Sequence, residues 1–246
     1  MKPITLEACA NSPQSAMEAQ KGGAIRVELC DNLGEGGTTP ALSQIEKTRE
    51  LIDIQLNTII RPRGGDFLYS DIEFETMKQD IHHCGKAKCD GVVFGILNSD
   101  GSIDKKRNSE LVNLARQYGM SITFHRAFDR ANDLFQALED IIELGCDRIL
   151  TSGGMQTAPE GATVIKKLIE QANGRISIMP GGGITENNIY ELVKVTGLKE
   201  FHGSFRSKYK GKMKYISSSF SDEEEYTLLQ TNAEKVKKAI ENANKI

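Results

Sequence analysis

Apolar and polar positions alternate in two short runs near the start of the chain, Ile4-Thr5-Leu6-Glu7-Ala8-Cys9 and Ile25-Arg26-Val27-Glu28-Leu29-Cys30. A period of two predicts β-strands, whose successive side chains face opposite sides. Ile4, Leu6 and Ala8 then share one face, as do Ile25, Val27 and Leu29, and that apolar face must meet helices. The other face carries, in both runs, a carboxylate followed two residues later by a thiol. Burying such groups is costly unless they are paired, so their repetition marks a candidate site.

Comparable β-branched or apolar runs recur at intervals of about 20 to 36 residues, each followed by a turn and a helix-like stretch. They predict eight strands, near residues 3–9, 24–30, 54–61, 90–96, 120–126, 146–152, 175–181 and 200–204. Ser12 opens an Ala- and Glu-rich helix that stops at Gly22-Gly23; helices are also expected over 42–52, 71–84, 108–118, 131–144, 160–173, 185–196 and about 232–244. Strand and helix alternating with such short crossovers imply a parallel sheet, and eight units at this length fit a closed (β/α)8 TIM-type barrel. A doubly wound open sheet would need a dinucleotide fingerprint near the first strand, and none is present. No linker divides the chain, so residues 1–246 are expected to form one domain, with 205–231 a long exposed connection before the last helix.

Composition narrows the function. The 246 residues are 39% hydrophobic, enough for a sizeable core. A net charge of -3 and an isoelectric point near 5.9 provide no basic field for nucleic acid. No apolar run reaches the length of a membrane span, and Glu7 interrupts any early signal-peptide core, so a soluble cytoplasmic protein is expected. The five cysteines, Cys9, Cys30, Cys84, Cys89 and Cys146, lack the spacing of a zinc ribbon or a disulfide framework and are expected to be reduced.

In a TIM-type barrel the chemistry sits at the carboxyl ends of the strands. Alternation turns Thr5, Glu7, Cys9, Arg26, Glu28, Cys30, Asn57, Arg61, Thr123, His125, Arg148, Ser152, Ser177, Glu200, His202 and Ser204 inward, with Arg63 just beyond the third strand. Ordinary barrel interiors hold mainly Val, Ile and Leu. The charged groups could form a structural ion-pair network, but Glu7, Glu28, Arg61 and His125 face the loops and are candidate catalytic residues. Arg63, Ser152, Gly153, the run Gly181-Gly182-Gly183 leading to a helix at about Thr185, and His202 are candidates for binding a phosphate or carboxylate. Cys9 and Cys30, on adjacent strands, are either small buried hydrophobes or soft donors suited to Cu(I), with His125 or another ligand nearby. His82, His83, Cys84 and Cys89 resemble a metal box, but they close the third helix at the other end of the barrel and are expected to be surface residues.

Several multi-residue stretches, in order across about residues 4 to 204, carry a family resemblance: Leu6-Glu7-Ala8-Cys9, Arg26-Val27-Glu28-Leu29-Cys30, Gly36-Gly37-Thr38-Thr39-Pro40, Ile60-Arg61-Pro62-Arg63-Gly64-Gly65-Asp66-Phe67, Asp90-Gly91-Val92-Val93-Phe94-Gly95, Thr123-Phe124-His125-Arg126-Ala127-Phe128-Asp129, Arg148-Ile149-Leu150-Thr151-Ser152-Gly153, Ile178-Met179-Pro180-Gly181-Gly182-Gly183 and Glu200-Phe201-His202. On these the chain resembles the CutC copper homeostasis family. The resemblance implies a TIM-type barrel, a cytoplasmic location, a homodimer or higher homo-oligomer, and copper handling with Cu(I) at Cys9 and Cys30. Phe205 to Tyr226 match nothing in that pattern. The residues alone also admit an enzyme that needs no metal or organic cofactor, a lyase or isomerase acting on a small phosphorylated or carboxylated anion. In it Glu7 or Glu28 would serve as base, His125 as acid or base, and Arg61, Arg63 and the glycine loops would grip the anion.

Overall fold

A computed structural model describes residues 3–219 and 222–245. Eight inner strands form: β1 (Thr5–Ala10), β2 (Arg26–Leu29), β3 (Gln55–Ile59), β4 (Gly91–Phe94), β5 (Ser121–Phe124), β6 (Arg148–Thr151), β7 (Ser177–Pro180) and β8 (Glu200–Gly203). All their ladders are parallel, running β8-β1-β2-β3-β4-β5-β6-β7, and β7 lies against β8 to close the cylinder. Around them run α1 (Pro13–Lys21), α2 (Leu42–Leu51), α3 (Asp71–Lys86), α4 (Lys105–Gln117), α5 (Leu134–Glu143), α6 (Ala162–Ala172), α7 (Ile189–Thr196) and α8 (Ala233–Ala243). The architecture is the (β/α)8 barrel the periodicity implies. Helix starts follow local chemistry: the Ser12 hydroxyl accepts from the Ser15 amide at α1, and Ser70 with Glu73 forms a capping box at α3.

The apolar strand faces, including Leu6, Ala8, Val27, Leu29, Val92, Phe94, Ile122 and Phe124, are sealed beneath the helices. Ile25 departs from this expectation: it precedes β2 and is 44% exposed. The strands are shorter than the apolar runs suggest, so Cys30, Arg61, His125, Ser152 and Gly181 all stand just past a strand end. α7 begins at Ile189, not Thr185. The intervening turn is held by side chains, with the Thr185 amide donating to Asn188 Oδ1 and Asn188 Nδ2 donating to the Gly183 carbonyl.

The connection expected over 205–231 is partly structured. It contains an antiparallel hairpin of β9 (Arg206–Lys210) and β10 (Thr227–Thr231), with Tyr209 opposite Leu228. Residues 220 and 221 of it lie outside the described residues. The hairpin has little buried face, so it leaves no alternating apolar signature. At the opposite end, Cys84 and Cys89 are buried against Thr58 rather than exposed, while His82 bonds the Tyr118 hydroxyl at 2.8 Å. These four side chains form no metal-binding group among the described residues.

Candidate functional site at the barrel mouth

A ladder of charged side chains climbs the barrel axis. Arg148 Nε meets Glu200 at 3.2 Å, and Arg26 Nη2 donates to the same carboxylate at 2.6 Å. Arg26 Nε then reaches Glu7 Oε2, which also accepts from Asn57 Nδ2 at 3.3 Å. The other Glu7 oxygen holds His202 Nδ1 at 2.9 Å, and His202 Nε2 lies 3.6 Å from Glu28 Oε2. That Glu28 oxygen is 3.3 Å from the Cys30 thiol, whose sulfur is 3.4 Å from Cys9 Sγ. Strand register makes this possible. Cα pairing sets Glu7 beside Arg26 and Cys9 beside Glu28, a two-residue offset that interleaves opposite charges instead of aligning the two carboxylates.

The ladder sorts the protons. Burial alone would raise Glu7, but the charges of Arg26 and His202 more than offset it and hold the carboxyl down to about 2. Burial disfavours a charged His202, yet its bonds to Cys9 and Glu7 and the nearby Glu28 push it well above the ordinary value. Cys9 accepts a hydrogen bond from Cys30, against the cost of burial, and with His202 beside it falls to about 5. Cys30, the donor, is pushed well above the usual thiol value. Glu28 is raised to about 8, first by burial and then by the neighbouring Cys9 and Glu7 charges, despite His202. The surroundings thus favour the charged forms of Cys9 and His202 and the protonated form of Cys30 within one buried cluster.

Above the thiols a cavity of about 300 Å³ opens, lined by residues that include Cys9, Glu28, Arg61, Phe67, His125, Arg126, Gly182, Gly183, His202 and Arg206. Gly36, Arg61, Phe67 and Arg126 also line a neighbouring cavity of about 750 Å³ between the loops. His125 packs on Phe67, ring centroids 4.9 Å apart, and its Nδ1 accepts from the Ala127 amide at 3.2 Å. Burial, helped by the Arg61 charge, lowers its pKa to about 3. A neutral ring accepting at Nδ1 carries its proton on Nε2, which is buried without a partner among the described residues. In this arrangement His125 Nε2 is a hydrogen-bond donor.

This has a measurable consequence. Unfolded His125 binds a proton below its ordinary 6.5 while the folded residue stays neutral to about 3, so stability falls as pH drops through that interval. His125→Gln is expected to remove up to about 1.4 kcal/mol per pH unit of that slope. Urea unfolding of both proteins from pH 6.5 to about 4 measures it; equal slopes would show that His125 protonates freely in the folded state.

Arg61 is buried, but Nη1 donates to the Glu35 and Gly37 carbonyls and Nη2 to that of Gly65, so the guanidinium mainly ties the loops after β2 and β3 together. Arg63 is spent on Glu73, Asp66 and nearby carbonyls and does not line the cavity. The loop after β6 already holds an anion of its own. Asp129 accepts from the Ser152 and Gly154 amides and from Thr151 and Ser152 hydroxyls, while the Gly153 amide bonds Thr151 Oγ1. Ser152 and Gly153 are thus turned to Asp129. Gly181 pairs with the Thr151 carbonyl, whereas Gly182 and Gly183 reach the cavity. Residue-by-residue reading passed over Arg126, Asp129 and Arg206 as site residues. For the first two a signal existed, since Arg126 and Asp129 are an i, i+3 pair just past a strand tip.

Fold and site together define a (β/α)8 barrel with a buried dithiol and carboxyl cluster at the strand-tip face. A family model described as the CutC family matches residues 4–207. The chain belongs to the CutC family. It is 50% identical over 244 residues to a CutC family protein of Parabacteroides distasonis, covering 96% of this chain and 99% of that one. It is 46% identical over 237 residues to the human copper homeostasis protein cutC homolog, covering 94% of this chain and 86% of the human one. A solved CutC structure from Streptococcus agalactiae superposes with a TM-score of 0.77 at 36% identity, covering 82% of this chain and 98% of that one.

Proposed function

We propose that this protein serves copper homeostasis by holding Cu(I) as cargo between Cys9 and Cys30. The observation that carries the reading is the sulfur pair, 3.4 Å apart, grouped with Glu28 so that all three ligand atoms lie within 4.8 Å of one another. Thiolates are soft donors that select Cu(I), and the surroundings of Cys9 favour that form. The role carried in the human relative's name points the same way. His202, held as imidazolium by Glu7, offsets part of the negative charge that a second thiolate would add. The five free cysteines are all buried and suit a reducing cytoplasm, and no helix of the described residues is long and apolar enough to cross a membrane. Exposed Met213, Tyr215, Leu228 and Leu229 around the hairpin suit contact with a second copy.

Binding requires the Cys30 proton to leave, because only the thiolate is a ligand. Anaerobic titration against a competing Cu(I) chelator is expected to show one ion per chain with about one proton released, and affinity rising about tenfold per pH unit while Cys30 stays protonated. Uptake that neither saturates at one ion nor releases a proton would refute the dithiol site.

A further inference from the structure

The rim of the same cavity carries hydrogen-bond donors that the dithiol does not use. After β7 the chain turns through Gly182 and Gly183 with φ of +96° and +70°, and their amides and that of Ile184 donate to no group of the described residues. Arg126 is anchored by Nε to Asp129 at 2.8 Å and by Nη2 to Ser152 Oγ at 2.6 Å. Its remaining nitrogen, Nη1, stands 3.1 Å from where a Cβ on Gly182 would be, so a side chain there would push the cation back from this loop. Arg206, half-buried on β9, lines the cavity and has no carboxylate of a described residue within ion-pair distance. Independently, His125 Nε2 and Arg61 Nε are both buried without a hydrogen-bond partner among the described residues, on cavity-lining residues only 3% and 4% exposed. Buried donors without acceptors are rare because each forfeits its hydration. Two cations and free loop amides gathered around one cavity indicate an oxygen-rich ligand.

We propose that the barrel mouth binds the phosphate group of a small phosphate monoester, with Arg126, Arg206 and the Gly182–Gly183 backbone taking the phosphate and His125 donating to a second oxygen of the ligand. Two guanidinium groups with several free amides offer more donors than the two oxygens of a carboxylate can accept, whereas a phosphate presents three charged or shared oxygens. A cavity of about 300 Å³ is at the small end of metabolite sites. His125 supplies a donor that does not protonate near neutral pH, so it can polarise an oxygen without adding a proton to it.

The test uses the full-length, metal-free protein titrated with inorganic phosphate, and in a parallel arm with acetate, at constant ionic strength. Phosphate is expected to bind one to one with a millimolar Kd, to shift the Gly182 and Gly183 amide resonances, and to raise the melting temperature; acetate at the same concentration does none of these. Arg206→Ala is expected to weaken phosphate at least tenfold while leaving the melting temperature of the unliganded protein unchanged, because that side chain makes no ion pair with a described residue. The Cys9→Ala/Cys30→Ala protein keeps its phosphate affinity, which separates this site from the copper reading. Absence of saturable phosphate binding, equal affinity for acetate, or full affinity in Arg206→Ala would overturn the proposal.

Discussion

Cys9→Ala/Cys30→Ala is expected to lower Cu(I) affinity by at least about a thousandfold, about 4 kcal/mol, with the barrel intact. Both thiols are small and buried at the strand tips, where the apolar side chains clustered with them are Ile59 and Leu33, apart from the main core. Their loss should therefore cost little stability, and a melting curve close to that of the parent would show that a binding loss is local. Single variants are informative in a different way. Cys30→Ala removes the hydrogen bond that most lowers Cys9, so the remaining thiol should titrate closer to its ordinary value. Glu28→Gln separates a ligand from a neighbour. Burial keeps Glu28 largely protonated near neutral pH, so an amide is a close substitute, and copper uptake should persist if sulfur is the donor. Uptake unchanged in the double cysteine variant would remove the thiols from the site.

The second large effect belongs to Arg26→Met, expected to destabilise the fold by about 3 to 5 kcal/mol. Arg26 is 2% exposed and spans Glu7 and Glu200, so its removal leaves two buried carboxylates each short of a partner. At this chain length that corresponds to a fall in melting temperature of about 6 to 20 °C, read by calorimetry. Arg26→Lys should recover little, because a single ammonium cannot reproduce the forked contact to both acids. The intact ladder also sets acid behaviour. With Glu7 held at about 2 against an ordinary 4.5, its contribution is complete above 4.5 and is lost as pH falls toward 2. A melting temperature that Arg26→Met barely changes would mean that water reaches the ladder and screens it.

Much of this was legible in the chain. Period-two patterning put Glu7, Arg26, Glu28 and Asn57 inside, and each is buried there. The repeated strand and helix units specified a barrel because parallel strands joined by short helical crossovers have few other ways to hide both faces. The glycines at 182 and 183 were visible as backbone that could approach a ligand, though their loop is separated from α7 by a turn that Asn188 holds. His125 was legible as a site residue but not as a neutral donor, because its proton is placed by Ala127's amide, Phe67 and the charge of Arg61, which comes from another strand end.

What the sequence by itself determined was therefore the fold and the inward face of each strand, since both follow from local alternation and from the need to bury apolar side chains. Tertiary structure alone decided which of those inward groups meet. The repeated Glu-x-Cys pattern suggests acids aligned with acids, but the strands pair with a two-residue offset, as the stagger of a closed barrel allows, and opposite charges interleave. Likewise, only the folded chain brings Asp129 across to fill the loop after β6 and leaves the Gly182–Gly183 loop open beside Arg126 and Arg206. Pairings between residues so far apart in the chain depend on register and closure, which no local pattern encodes.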